Sequence, residues 1–257
     1  MAEGTPEEVL QQALLVAGAG PYAQVEKAAN LEASSAKKAS EGLLAAGLMV
    51  TLDVAGKPLQ ANTWVAARPY WEQQITTFLE SLQEYHTKFP LRMGMPTEEM
   101  KSRMKITPQV FSALLANLVA EEAVRVEGAQ VRLTDHRVTF SAQQQARIDA
   151  LLEKFAKSPF SPPTIKDAQA EIGEDLYQAL VSLGRLLPVS HEVVFRVEDY
   201  QQAVADVKML AEKYDAFTLA QARDYWQTTR RYVQDLLEYM DREGVTRRVG
   251  DVRKLKG

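Results

Sequence analysis

The sequence predicts a mainly α-helical protein with small β-hairpins, arranged as four tandem winged-helix domains in an elongated chain. Three observations carry this. Apolar residues recur at a helical period in stretches bounded by recognisable caps and breakers. Each third helix is followed by a short period-two run split by a turn, and the order helix, short helix, helix, hairpin recurs four times along 257 residues. The expected domains are 1–66, 67–139 (opening with a linking helix), 140–196 and 197–257.

In the first unit, Thr5, Pro6, Glu7 and Glu8 read as N-cap, first helical residue and acidic first turn, with Leu10, Ala13, Leu14 and Ala17 turned inward. A short helix follows Pro21. Ser34 or Ser35 is expected to cap the third helix, with Ala36, Ser40, Leu43 and Leu44 inside and Gly47 at its end. Val50 to Val54 and Leu59 to Val65 then read as a wing turning at Ala55, Gly56 and Lys57.

The second unit opens with a long helix, Arg68 to Lys88, with Ile75, Phe78, Leu79, Leu82 and Tyr85 on one face. Pro90 stops it, Thr97 is expected to cap the short helix, and Thr107 with Pro108 starts the third, with Phe111, Leu114, Leu115 and Leu118 inward. Val124 to Val126 and Val131 to Leu133 form its wing. The third unit starts at Ser141, buries Ile148, Leu151, Leu152 and Phe155, and breaks at Ser158 to Pro163. Thr164 caps its short helix, Glu174 and Asp175 begin the third, and Leu187 to Val189 with Val193 to Phe195 make the wing. The fourth begins near Glu198, with Val204, Val207, Leu210 and Tyr214 inward, and caps its second helix at Thr218.

Its last helix carries Val233, Leu236, Leu237 and Met240 as one stripe, with Thr228 or Thr229 as N-cap and Gly244 just past the end. Val245, Val249, Val252 and Leu255 then alternate around Gly250 and Asp251, a pair suited to a two-residue hairpin turn.

Composition narrows the function. Without cysteine, disulfides and thiolate metal sites are excluded, and His86, His136 and His191 show no ligand spacing. No P-loop, nucleophile elbow or zincin motif occurs, so no enzyme is expected. No apolar run approaches the roughly 20 residues that cross a bilayer, and the N-terminus has no basic or apolar leader region, which predicts a cytoplasmic protein.

Net charge is −4, yet it is unevenly spread: residues 1–220 hold 21 basic and 28 acidic side chains, and residues 221–257 hold 9 and 6. Arg230 and Arg231 occupy a helix start, where the positive pole of the helix favours acidic residues. That placement makes sense if an external anion such as phosphate binds there, with Arg247, Arg248, Arg253 and Lys254 on the adjoining hairpin. The competing reading is a solvated face with local ion pairs to Asp235 and Glu238. Alternation with Val245 and Val249 lets the stem of Arg247 lie on apolar surface while Arg248 points the other way. Tyr225 and Trp226 suit either base stacking or core packing, the latter being commoner. Of the other third-helix starts, Glu174 and Asp175 would repel phosphate, Thr107 and Pro108 are neutral, and Lys37 and Lys38 lack a basic wing beyond Lys57.

The segment LEYMDREGVTRRVGDVRKL closely resembles the end of the bacterial selenocysteine-specific elongation factor family, SelB, with its LEY-x-D-R-x-G-x-T-R-R-x-G pattern. PLRMGMPTEEMKSR, residues 90–103, is similar to a second segment of that family. The resemblance spans essentially the whole chain and implies a C-terminal fragment without the family's GTPase and barrel domains. GTP and Mg are therefore expected only for those domains, and no cofactor here.

It implies that the last winged helix binds the selenocysteine-insertion (SECIS) hairpin of mRNA through phosphates and unpaired bases, as a monomer, with the ribosome a partner in the full-length context. Arg230, Arg231, Arg247 and Arg248 inherit that role, with Arg223, Thr229 and Tyr232 beside them and Arg253 and Lys254 less firmly placed. The alternatives are a tandem winged-helix DNA-binding regulator and a protein-interaction scaffold.

Overall fold

The structure, a computed structural model, describes residues 4–52 and 58–256. The chain forms two compact units, one of Met1–Pro90 with Gly94–His136 and one of Leu91–Met93 with Arg137–Gly257.

In the first unit, helices α1 (Pro6–Ala17), α2 (Tyr22–Ala29) and α3 (Ala33–Ala45) enclose one core with strands β1 (Ala19–Pro21), β2 (Met49–Thr51) and β3 (Trp64–Ala67). The start of α1 is fixed by a capping box in which Thr5 and Glu8 satisfy each other's backbone N–H groups. The strands form an antiparallel sheet in the order β1-β3-β2. The wing strands are thus Met49–Thr51 and Trp64–Ala67, not Val50–Val54 and Leu59–Val65. The expected turn at Ala55, Gly56 and Lys57 lies outside the described residues. The backbone N-cap of α3 is Glu32, with no side-chain hydrogen bond, so neither Ser34 nor Ser35 caps it. Lys37 and Lys38 consequently sit beyond the first turn, away from the helix pole.

Helix α4 (Arg68–Lys88) has the predicted length, because Arg68 precedes a first-turn proline and Pro90 follows closely on its C-cap, Phe89. It packs with β4 (Met95–Pro96), α5 (Thr97–Met104), α6 (Pro108–Ala120), β5 (Val124–Glu127) and β6 (Gln130–Leu133) around a core that includes Phe78, Leu82, Tyr85, Phe111 and Leu114. Thr97 is the first residue of α5 and Pro96 its N-cap, so the predicted cap is displaced by one. The sheet order is β4-β6-β5.

His86 of α4 is buried and stacks on His136, ring centroids 3.6 Å apart, while its Nε2 accepts the Leu133 N–H at 3.3 Å. Burial, then the neighbouring His136 and Arg132, pushes its pKa down to about 4. A histidine neutral in the fold but free to protonate when unfolded stabilises fully above its unfolded pKa, and that stability is lost as pH falls toward about 4. The first unit should therefore lose about 2 kcal/mol between pH 7 and pH 5 in urea unfolding, and His86→Gln should remove that component.

The second unit begins with α7 (Ala142–Lys157), opened by a Ser141–Gln144 capping box, then α8 (Ile165–Ile172), opened by a Thr164–Asp167 box. Helix α9 (Glu174–Ser182), β7 (Leu186–Pro188) and β8 (Val194–Arg196) complete a core around Ile148, Phe155 and Leu180. Then come α10 (Val197–Tyr214), β9 (Phe217–Thr218), α11 (Leu219–Trp226), α12 (Arg230–Arg242), β10 (Thr246–Val249) and β11 (Val252–Leu255). Their core holds Val207, Phe217, Trp226, Val233 and Leu237.

Inside it, the Trp226 indole N–H donates to Asp206 Oδ2 at 2.8 Å, which pairs a buried carboxylate that would otherwise be costly to desolvate. Trp226 is thus a core residue. Tyr214, expected inward, is instead exposed at the end of α10, and so is Tyr225.

Candidate nucleic-acid interface

The C-terminal part of the second unit presents its charge on two elements, the start of α12 and the hairpin β10-β11. Thr229 is the backbone N-cap of α12 but makes no side-chain capping bond, and no acidic residue lies in the first turn. The Thr228 hydroxyl is turned away to the Phe160 carbonyl and to Ser161 Oγ. Unlike α11, which Thr218 and Gln221 cap reciprocally, α12 leaves its first amide donors to whatever approaches from outside.

Arg230 and Arg231 flank that end, both exposed. Among the described residues the Arg230 and Arg247 guanidinium groups have no partner. Arg231 pairs with Glu192, in the loop between β7 and β8. Arg223 on α11 is held by the adjacent Asp224 at 2.6 Å. Both pairs are exposed, worth about 1 kcal/mol or less, and open readily to a competing anion.

The hairpin register decides which cations face outward. Thr246 lies opposite Leu255, Arg247 opposite Lys254, Arg248 opposite Arg253 and Val249 opposite Val252. Opposed residues share a face, so Arg247 and Lys254 lie on one side and Thr246 and Arg253 on the other. The Thr246 and Arg253 side turns toward α12. There Asp241 accepts from the Thr246 hydroxyl at 2.6 Å and from Arg253 Nε at 3.0 Å.

Arg253 is only 4% exposed, so its guanidinium braces the wing from inside and is not offered to a ligand. Val249, beside the hairpin turn, is 47% exposed, while Thr246 and Arg253 fill the buried side. Lys254 pairs with Asp215 at 2.8 Å, and that hydrogen bond holds the Asp215 carboxyl below its ordinary range. Arg248 Nε donates to the Gly250 carbonyl at 3.0 Å, across the turn where Gly250 takes φ +61°.

Residues earlier in the same unit brace α11 and α12. The Tyr232 hydroxyl donates to the Pro162 carbonyl at 2.8 Å, Ser190 Oγ donates to Asp235 at 2.7 Å, and Phe160 stacks on Trp226 with centroids 5.2 Å apart. Tyr232 is therefore half-buried and tied down, not a free contact. Local sequence pattern gave no sign of this bracing. Ser158 to Pro163 reads as a helix break, and its partners lie 67 to 70 residues further along the chain.

The arrangement can hold several phosphates at a helix pole and along the outer face of a wing. Residues 208–255 and 79–133 match a family described as "Elongation factor SelB, winged helix". The selenocysteine-specific elongation factor of Desulfomicrobium baculatum is 27% identical over 186 residues, 69% of this chain and 29% of the relative. That of Escherichia coli is 27% identical over 207 residues, 76% of this chain and 32% of the relative. The chain thus spans about a third of the length of the curated relatives it matches. A solved structure of the mRNA-binding domain of elongation factor SelB from E. coli in complex with SECIS RNA is similar at 24% identity, with a TM-score of 0.37, covering 46% of this chain and 100% of that one.

Proposed function

We propose, on the premise that this chain is a winged-helix region of the SelB type, that its fourth repeat is the mRNA-reading end of a cytoplasmic selenocysteine-specific elongation factor. In this reading the chain holds four winged-helix domains, needs no cofactor and catalyses nothing itself. The other three repeats act as spacer and meet the ribosome. The observation that carries it is the uncapped, arginine-bearing start of α12 beside a wing whose outer face shows Arg247 and Lys254.

A-form RNA hides its major groove from side chains, so a hairpin is recognised by backbone shape and by bases freed from pairing. The α12 pole, Arg230 and Arg231 would take phosphates of the upper stem, while Arg247, Arg248 and Lys254 take those reached by the wing. Arg223 and Arg231 exchange their carboxylate partners for phosphate on binding.

A labelled insertion-type RNA hairpin should bind the chain well ahead of duplex DNA of equal length at the same salt. Equal affinity for the two would favour a DNA-binding regulator, and no affinity for either at low salt would favour a scaffold.

Glu192 sets a further expectation. Removing its charge frees Arg231 without touching the core, so Glu192→Gln should tighten hairpin binding two- to five-fold at low salt, an effect of about 1 kcal/mol or less. Unchanged affinity across a salt series would place Arg231 outside the contact.

A further inference from the structure

We propose that the loop between α7 and α8, Ser158 to Thr164, is a positioning element for RNA binding, acting through Thr228 and Tyr232 to keep the start of α12 uncapped and aimed. This rests on the reading of α12 and its wing as the hairpin-binding surface and gives that surface a support outside itself.

The observation that carries it is a missing cap. Thr5, Thr107, Ser141, Thr164 and Thr218 each turn their hydroxyl to a first-turn amide of the helix they precede. Two threonines, Thr228 and Thr229, precede α12, and neither does so. The Thr228 hydroxyl gives its proton to the Phe160 carbonyl, so in its second contact, at 2.9 Å, it accepts from Ser161 Oγ. Committed twice to the α7–α8 loop, it is withheld from α12. The first-turn amides stay open to an external anion.

On the other side of the two arginines, the Tyr232 hydroxyl donates to the carbonyl of the buried Pro162 at 2.8 Å. Arg230 and Arg231 thus lie between two tethers to one loop. That loop is itself anchored, because Phe160 stacks on Trp226 and the Trp226 indole N–H is held by Asp206. Further along the helix, Ser190 Oγ accepts the Val193 N–H at 3.0 Å while donating to Asp235 at 2.7 Å.

A helix held at residues 228, 232 and 235 resists rotation about its own axis, so its amide pole and its guanidinium groups keep one relation to each other. A phosphate that takes donors from both then binds without first ordering them. Folding alone does not call for these hydroxyls, since α12 already buries Val233, Leu236, Leu237 and Met240.

The test titrates a labelled insertion-type hairpin with the full chain and its variants at three salt concentrations. Tyr232→Phe and Thr228→Val each delete one hydroxyl and keep the side-chain volume. Each should weaken binding about five-fold, and each should lower the slope of log K against log salt by about 0.7 to 0.9, one phosphate contact. Thr228→Ser keeps the hydroxyl and should bind as the wild type does. Added to Arg230→Ala with Arg231→Ala, either substitution should cost less than about two-fold, because the groups it positions are gone.

If both variants melt earlier yet bind with wild-type affinity and slope, the loop is a structural brace alone and the proposal is overturned while the interface stands. An equal loss in the arginine-free background, or a loss that persists in Thr228→Ser, overturns it too, since the loop would then act elsewhere. If the wild-type chain binds no hairpin even at low salt, the interface reading falls and the positioning role falls with it.

Discussion

Arg230→Ala combined with Arg231→Ala should weaken binding of an insertion-type hairpin by about a hundred-fold or more at low salt. Each guanidinium is placed to make charge-assisted hydrogen bonds worth about 1.5–3 kcal/mol, and α12 offers no internal acid that would compensate for their loss. The salt dependence should change with the affinity. Removing two phosphate contacts lowers the slope of log K against log salt by about 1.4 to 1.8. Both residues are exposed, so the unfolding transition should barely move. Titration by fluorescence anisotropy at three salt concentrations measures both quantities. A weakened affinity with an unchanged slope would mean that the arginines act on helix geometry and not on phosphate.

Asp241→Ala should have the largest effect on stability near the site. Asp241 is the partner of the buried Arg253 and also accepts from Thr246, so its loss leaves a buried guanidinium uncompensated and detaches the wing from α12. Breaking one side of such a pair costs about 3 kcal/mol. Hydrogen exchange at the amides of residues 246–255 should accelerate by about a hundred-fold, reflecting local opening of the hairpin. Asp241→Asn keeps an acceptor for Thr246 and should fall between. Hairpin affinity should drop in parallel, because Arg247 and Lys254 are aimed by the register that Asp241 anchors. Full protection in Asp241→Ala would show that the wing is held by backbone pairing alone.

Much of this fold is legible in the sequence because the sequence marks where its helices begin and end. Thr5, Thr107, Ser141, Thr164 and Thr218 each cap the helix that pattern assigns them, and the stripe of Val233, Leu236, Leu237 and Met240 is buried as its spacing requires. Helix starts are displaced from their sequence signals where the cap is made by backbone alone, as at Glu32 and Pro96, since no side-chain signature marks them. In the first wing, apolar residues extend past the paired strands, so the pattern overstates strand length.

The candidate site was legible in part. Arg230 and Arg231 stand out because their charge opposes the helix pole, a conflict visible in one dimension. Arg253 does not. Its burial depends on Asp241, twelve residues away, and on strand register, and hydrophobic alternation ranks a charged residue as outward whatever its partner. The tie between Glu192 and Arg231 spans 39 residues, with helices α10 and α11 between them, and no local pattern reports it.

The most direct measurement of the central claim is photocrosslinking of a 4-thiouridine-labelled insertion-type hairpin to the full chain, followed by identification of the crosslinked peptides. The account predicts crosslinks concentrated in residues 223–254, at the start of α12 and along β10 and β11, and lost on competition with unlabelled hairpin. Specific crosslinks confined to the first unit, around Lys37 and Lys38 or the β5-β6 hairpin, with none in residues 223–254, would contradict it.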